Sequence, residues 1–204
     1  MSLVSGNTWT PPVNRNGGIV AISFDYSVLT RVGVFLGTAD VKVKQAVSNA
    51  VNRALEHFKT IEVKETARKY YVKQKDIRSS IMLKKSHGGS MHGTLISRGH
   101  RKSLTKYATK PGLPPVKKGT FMGAVKKEGG LKKIPKGFLI PHSSGIRAVI
   151  RERAGKDGLA FLTSPSVPQL MKNQSTVFAA EREAREVFKK RFDHELKRLL
   201  EELP

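Results

Sequence analysis

The sequence predicts an α+β fold: an antiparallel β-sheet flanked by a long N-terminal helix and a long C-terminal helix. Three observations predict it. Apolar residues recur at three- and four-residue steps from Asp40 and again from Val177. Between these stretches, short apolar runs are separated by glycine and proline turn signals, the pattern of hairpins. The helix–hairpins–helix order segregates helices from strands, which is how α+β layers are built.

Residues 1–18 are rich in Gly, Pro, Asn and Ser with one Trp, and read as an extended arm anchored by Trp9. Residues 19–204 read as a single α+β domain, with a basic hairpin region at 81–140. Ile19 onward alternates well enough for a strand or an entry segment. From Asp40, a plausible N-cap, Val43, Val47, Ala50, Ala54, Phe58 and Ile61 mark one face of a helix that runs to about Lys69. A short helix at Lys73 to Arg78 and a strand at "SSIMLKK" follow. Further strands are expected near Gly93–Ser97, Thr120–Lys126, Phe138–Pro141, Ile146–Arg153 and Leu159–Leu162. Turns at Gly129-Gly130 and at Gly155 to Gly158 join them as hairpins, most clearly between "IRAVIRER" and "LAFL".

Ser164 to Met171 carries two prolines three residues apart, at Pro165 and Pro168. Proline fixes φ and pushes the preceding residue toward extended geometry, so this stretch reads as a stiff, extended elbow. Beyond it, Val177, Ala180, Ala184, Phe188, Phe192, Leu196, Leu199 and Leu203 form one apolar stripe. Glu181–Arg185, Glu186–Lys190 and Asp193–Lys197 are spaced as i,i+4 ion pairs. The elbow is expected to swing this helix back against the Asp40–Lys69 helix, burying Val167 and Leu170 at the corner. Hydrophobic content of 38% and aromatic content of 7% are lean for 204 residues. Other subunits are therefore expected to complete part of the apolar surface. The residues proposed for core or subunit contact are Trp9, Val167, Leu170, Phe188, Phe192, Leu196 and Leu199.

Charge is the dominant compositional signal. Lys and Arg number 38 against 16 acidic residues, a net +22. Residues 81–140 hold 14 of the basic residues and only Glu128 as an acid, so +13 lies in this one region. Such a field attracts polyanions, of which phosphate backbones are the commonest. A solvated basic surface, or one meeting acidic patches on protein neighbours, is the competing reading. No single lysine is singled out by spacing. The cluster assigned to face nucleic acid is Lys117, Lys118, Lys126, Lys127, Lys132 and Lys133. Tyr107, Phe121 and Phe138 are the only aromatics of the region, too few for a stacking platform, so contact is expected to be to phosphates.

Signals for chemistry are thin. The chain has no Cys, which excludes disulfides and thiolate metal sites and fits a reducing or redox-indifferent setting. None of the six His matches the HExxH or Cys/His zinc spacing, and the basic region offers almost no supporting carboxylate. "HGGS" lacks the rest of a phosphate-binding loop, and no G-x-S-x-G elbow is present. No catalytic, cofactor or metal site is assigned, and an enzyme is the least favoured class. No apolar run approaches 18 residues, and no basic-then-apolar leader opens the chain. Neither a membrane span nor a signal peptide is expected.

The helix carrying "AVSNAVNRALEHFKTIEVKETARKYYVKQKDIRSSIMLKK", then "ISRGHRKSLTKYAT", the Lys/Gly-rich hairpins, "FLIPHSSGIRAVIRER", "GLAFLTSPSVPQLM" and a closing charged helix follow one another in order. This order resembles the minor tail protein Z family of tailed bacteriophages, also called tail completion proteins. The most specific pieces are Val72 through Arg78 and Leu159 through Gln169. The resemblance covers residues 40–204, and the arm has no counterpart in it. Where the family often has a basic residue and a proline before its apolar strand, this chain has Gly158-Leu159-Ala160-Phe161. The resemblance implies a structural virion protein at the head-proximal end of the tail, acting in head–tail joining and genome passage and assembled in the host cytoplasm. It also implies a homo-oligomeric ring, with a hexamer favoured, beside tail terminator, tail tube or head–tail connector proteins and near phage DNA. The alternative is a basic nucleic-acid-binding protein of ribosomal or nucleoid type, since "PVKKGTFMGAVKKEGGLKKIPKGF" would suit a ribosomal loop.

Overall fold

A computed structural model describes residues 17–24 (backbone alone), 40–87, 92–112, 121–143, 145–152 and 158–201. Trp9, Lys117, Lys118 and Leu203 lie outside these residues, as do the arm, most of the Gly155–Gly158 turn and Gly88 to Ser90 of the "HGGS" segment.

Helix α1 spans Asp40–Lys69 and helix α4 spans Gln174–Glu201. They pack antiparallel: Phe188 lies among Val47, Ala50, Val51 and Ala54, while Thr176 reaches Glu62 at the other end. Val47, Ala50, Ala54 and Phe58 of the expected face are buried, with small alanines on both helices (Ala180 and Ala184 on α4) letting the axes approach. Helix α1 buries a second stripe, including Ala46, Val51 and Leu55. Helix α2, Gln74–Ser80, adds the buried Ile77 to the same core.

The strands divide among four small antiparallel sheets rather than one. In the first, β3 (Gly93–His100) lies between β1 (Gly17–Phe24) and β2 (Ile81–Lys84). In the second, β9 (Gly145–Arg151) lies between β8 (Gly137–His142) and β10 (Leu159–Phe161). The expected hairpin is there, with Leu159 opposite Arg151 and Phe161 opposite Val149. A third sheet joins β5 (Ala108–Lys110), β6 (Met122–Ala124) and β7 (Lys132–Lys133), and β4 (Lys102–Ser103) pairs with β11 (Thr163–Ser164). Strands of two to four residues between Gly and Pro turns are too short to extend one continuous ladder. Each small sheet closes over its own neighbours instead. Leu104, Phe121, Leu139 and Ala148 form a second apolar cluster between them.

The elbow departs from expectation in its second half. Ser164 is extended and Ser166 holds φ −71° and ψ 158°, but helix α3 begins at Val167 and runs to Met171. Pro168 sits in the first turn of α3, where its missing N–H would have no helical partner in any case. The side-chain Oε1 of Gln169 accepts the Ser166 backbone N–H at 2.9 Å, closing half of a capping box. The corner is nonetheless buried: Val167 is 1% exposed and Leu170 4%.

The stripe of α4 buries Ala180, Ala184 and Phe188, then loosens to half-buried Phe192, Leu196 and Leu199. Phe192 stacks on Phe188 at 5.7 Å between ring centroids. The three expected i,i+4 pairs do not close. Arg191 and Arg198 instead converge on the buried carboxylate of Glu195, at 2.6 and 3.2 Å. Exposed pairs gain little against water and side-chain entropy; a buried carboxylate holds its partners.

Candidate nucleic-acid interface

The β6–β7 hairpin gathers four of the six lysines assigned to nucleic acid. Met122 pairs with Lys133 and Gly123 with Lys132, and the chain reverses through Gly129 and Gly130 at φ 81° and 60°. Those angles are in the left-handed region where a Cβ is strained, which is why the turn is Gly-Gly. Lys126, Lys127, Lys132 and Lys133 are all exposed on this one projection.

The hairpin is not a free flap. Its Lys127 backbone N–H donates to the Lys69 carbonyl at 3.0 Å, and its Lys127 ammonium donates to the Ala67 carbonyl at 2.8 Å. The Tyr71 N–H also donates to the Val125 carbonyl at 2.8 Å. Carbonyls in the last turn of a helix have no partner along the helix, so one lysine satisfies two of them and anchors the projection. Lys127 therefore differs from its neighbours: its side chain already holds the fold.

Beside the hairpin is a cleft of about 810 Å³ that sequence reasoning missed. Lys73, Arg101, Lys102, Lys106 and Arg147 line it, and its acid, Asp76, lies 3.4 Å from Lys102. Its walls are fastened across distant segments. The Leu104 N–H donates to the Leu162 carbonyl at 3.0 Å, Thr105 Oγ1 to the Ile146 carbonyl at 3.1 Å and Ser164 Oγ to the Lys102 carbonyl at 3.0 Å. Tyr107 forms part of the lining with its hydroxyl donating to the Pro165 carbonyl at 3.0 Å. Burial pushes its phenol up, which keeps the donor protonated. Phe161 is 48% exposed on the cleft, with the Arg147 guanidinium 5.0 Å from its ring centroid.

A second hollow of about 600 Å³ shares Arg101 and Thr163 with this cleft and reaches Lys126. Arg101 and Lys126 thus line one hollow that joins the hairpin to the cleft. The cleft was hidden in the sequence because its residues come from four separate segments. Lys73, Arg147 and Phe161 also fall outside the 81–140 region that carries the charge excess.

The residues proposed for core or subunit contact are placed differently from one another. Val167, Leu170 and Phe188 belong to the chain's own core, whereas Phe192, Leu196 and Leu199 are only partly buried. Among the described residues, no three His, Cys, Asp or Glu side chains gather where they could hold a metal ion. No described helix is long and apolar enough to cross a membrane.

A family model described as prophage minor tail protein Z matches residues 38–203. The chain belongs to the prophage minor tail protein Z family. That membership makes it a structural protein of a phage tail. No curated protein and no solved structure matches the chain. The minor tail protein Z match takes in both long helices, the anchored hairpin and every residue of the basic cleft, and it begins after β1.

Proposed function

We propose that the chain acts at the head-proximal end of the phage tail, as one subunit of a homo-oligomeric ring, hexameric by family resemblance. In this reading it completes the tail for joining to the head, next to terminator, tube or connector proteins, and presents its basic surface to the passing genome. The observation that carries the reading is the grouping of Lys126, Lys127, Lys132 and Lys133 on one exposed, anchored projection. A phosphate backbone is the partner such a surface suits, through contacts indifferent to sequence. The half-open stripe of Phe192, Leu196 and Leu199 suits a neighbouring subunit. No catalytic role is assigned to any residue.

Two measurements test this. Mass photometry in high salt is expected to give a discrete closed oligomer; a monomer at every concentration overturns the ring. Replacing Lys117, Lys118, Lys126, Lys132 and Lys133 by Gln, with Lys127 spared for its structural bonds, is expected to give particles that assemble but fail to deliver DNA. Failure of assembly itself would show that these lysines hold a protein neighbour.

A further inference from the structure

The cleft differs from the hairpin in shape and in content. The hairpin projects outward and offers ammonium groups beside the carboxylate of Glu128; the cleft is concave and adds two guanidinium groups, hydroxyls and an exposed ring. A duplex keeps its base faces stacked inside, so along its length it offers phosphates and groove edges but no base face. An unpaired strand can offer both a phosphate and a base face. Phe161, 48% exposed and backed by Arg147, is a flat apolar surface on the wall of a cleft whose lining is otherwise rich in cations. An acidic polypeptide would use the cations and leave the exposed part of the ring, which Arg147 and His142 flank, unused.

From this geometry we propose that the cleft binds single-stranded nucleic acid. Arg101, Lys106 and Lys73 take successive phosphates, and Phe161 with Arg147 provides the stacking surface for one base. The hairpin lysines then act as a general electrostatic approach, connected to the cleft through Lys126 and Arg101. This site stands on the cleft alone and does not depend on the protein's place in the tail.

The test uses the purified full chain and fluorescence anisotropy of a labelled oligothymidylate of about 12 residues, within the usual site-size range. A blunt duplex of the same length is the comparison, and polyglutamate the competitor. The oligothymidylate is expected to bind more tightly than the duplex. Phe161→Ala is expected to weaken single-strand binding about ten-fold with the salt slope unchanged, and Phe161→Trp to restore it. Arg101→Gln with Lys106→Gln is expected to flatten the slope of log affinity against log salt by about 1.4, or about 0.7 per single-strand phosphate. Phe161, Arg101 and Lys106 line the open cleft, and thermal melts of the variants check that they fold.

The proposal is overturned if Phe161→Ala binds the oligothymidylate as wild type does. It is overturned equally if polyglutamate competes as well as the oligonucleotide and does so through Arg101 and Lys106, because the cleft then takes an acidic polypeptide. Neither result touches the tail assignment, which rests on assembly, and failed assembly would leave this binding result standing.

Discussion

The ammonium of Lys127 donates to the Ala67 carbonyl at 2.8 Å, so a residue of the basic hairpin closes the end of the longest helix. Charge and hydrogen bond act together there, because a cation at a helix C-terminus also meets the negative end of its dipole.

Lys127→Gln is therefore expected to lower stability by about 0.5–1.5 kcal/mol. Lys126, Lys132 and Lys133, changed one at a time to Gln, are expected to stay within about 0.5 kcal/mol of wild type. Urea denaturation of the four variants checks this. Equal effects at all four positions would remove the distinction between anchor and surface.

Glu62 sets a pH dependence. It is 0% exposed between α1 and α4, and the Thr66 and Thr176 hydroxyls each donate to its Oε1 at 3.1 Å. Burial pushes its carboxyl up to about 7 from 4.5, and the two hydroxyl contacts only partly offset that. The folded protein thus holds a proton that the unfolded chain releases between these two values. Its contribution is fully present below pH 4.5 and is lost as pH rises through about 7. The gap corresponds to about 3 kcal/mol. Thermal melts of wild type and Glu62→Gln from pH 4 to pH 8.5 are expected to agree at the acid end, diverge between about pH 4.5 and pH 7 with the variant more stable, and keep a constant gap above that. Parallel curves would show that Glu62 titrates normally.

The α4 stripe separates core from open surface. Phe188, 7% exposed among four α1 side chains, is expected to cost about 3–5 kcal/mol on truncation to Ala. Leu196 is only half-buried in the isolated chain, so Leu196→Ala is expected to cost about 1 kcal/mol there. If Leu196 lies between subunits, the same variant also shifts the oligomer toward monomer in mass photometry. A loss of several kcal/mol in the monomer would place Leu196 in the core instead.

How far the fold could be read depended on the range of the interactions. The limits of α1 and the β9–β10 hairpin follow from local periodicity and turn chemistry, and both were readable. Sheet membership was not, because β4 finds β11 and β1 finds β3 only after long stretches of chain have folded. The start of α3 was readable in principle: Ser166-Val167-Pro168-Gln169 contains both a capping-box spacing and a proline suited to a first helical turn. Reading both prolines as extended hid it. The hairpin lysines stand out in the sequence because they are near neighbours there. The cleft was not, since Lys73, Arg101, Lys106 and Arg147 meet only through tertiary structure.

Strand β1 occupies all eight residues of one side of β3, pairing Gly17 with His100 through Phe24 with Gly93. It lies outside the span shared with the family, residues 38–203. The shared part of the fold, taken alone, would leave a row of unsatisfied N–H and C=O groups along β3, the template on which foreign strands add. This chain carries its own plug for that row. The outer edge of the sheet then belongs to β1, so any strand added on that side would pair with residues that lie outside the family span.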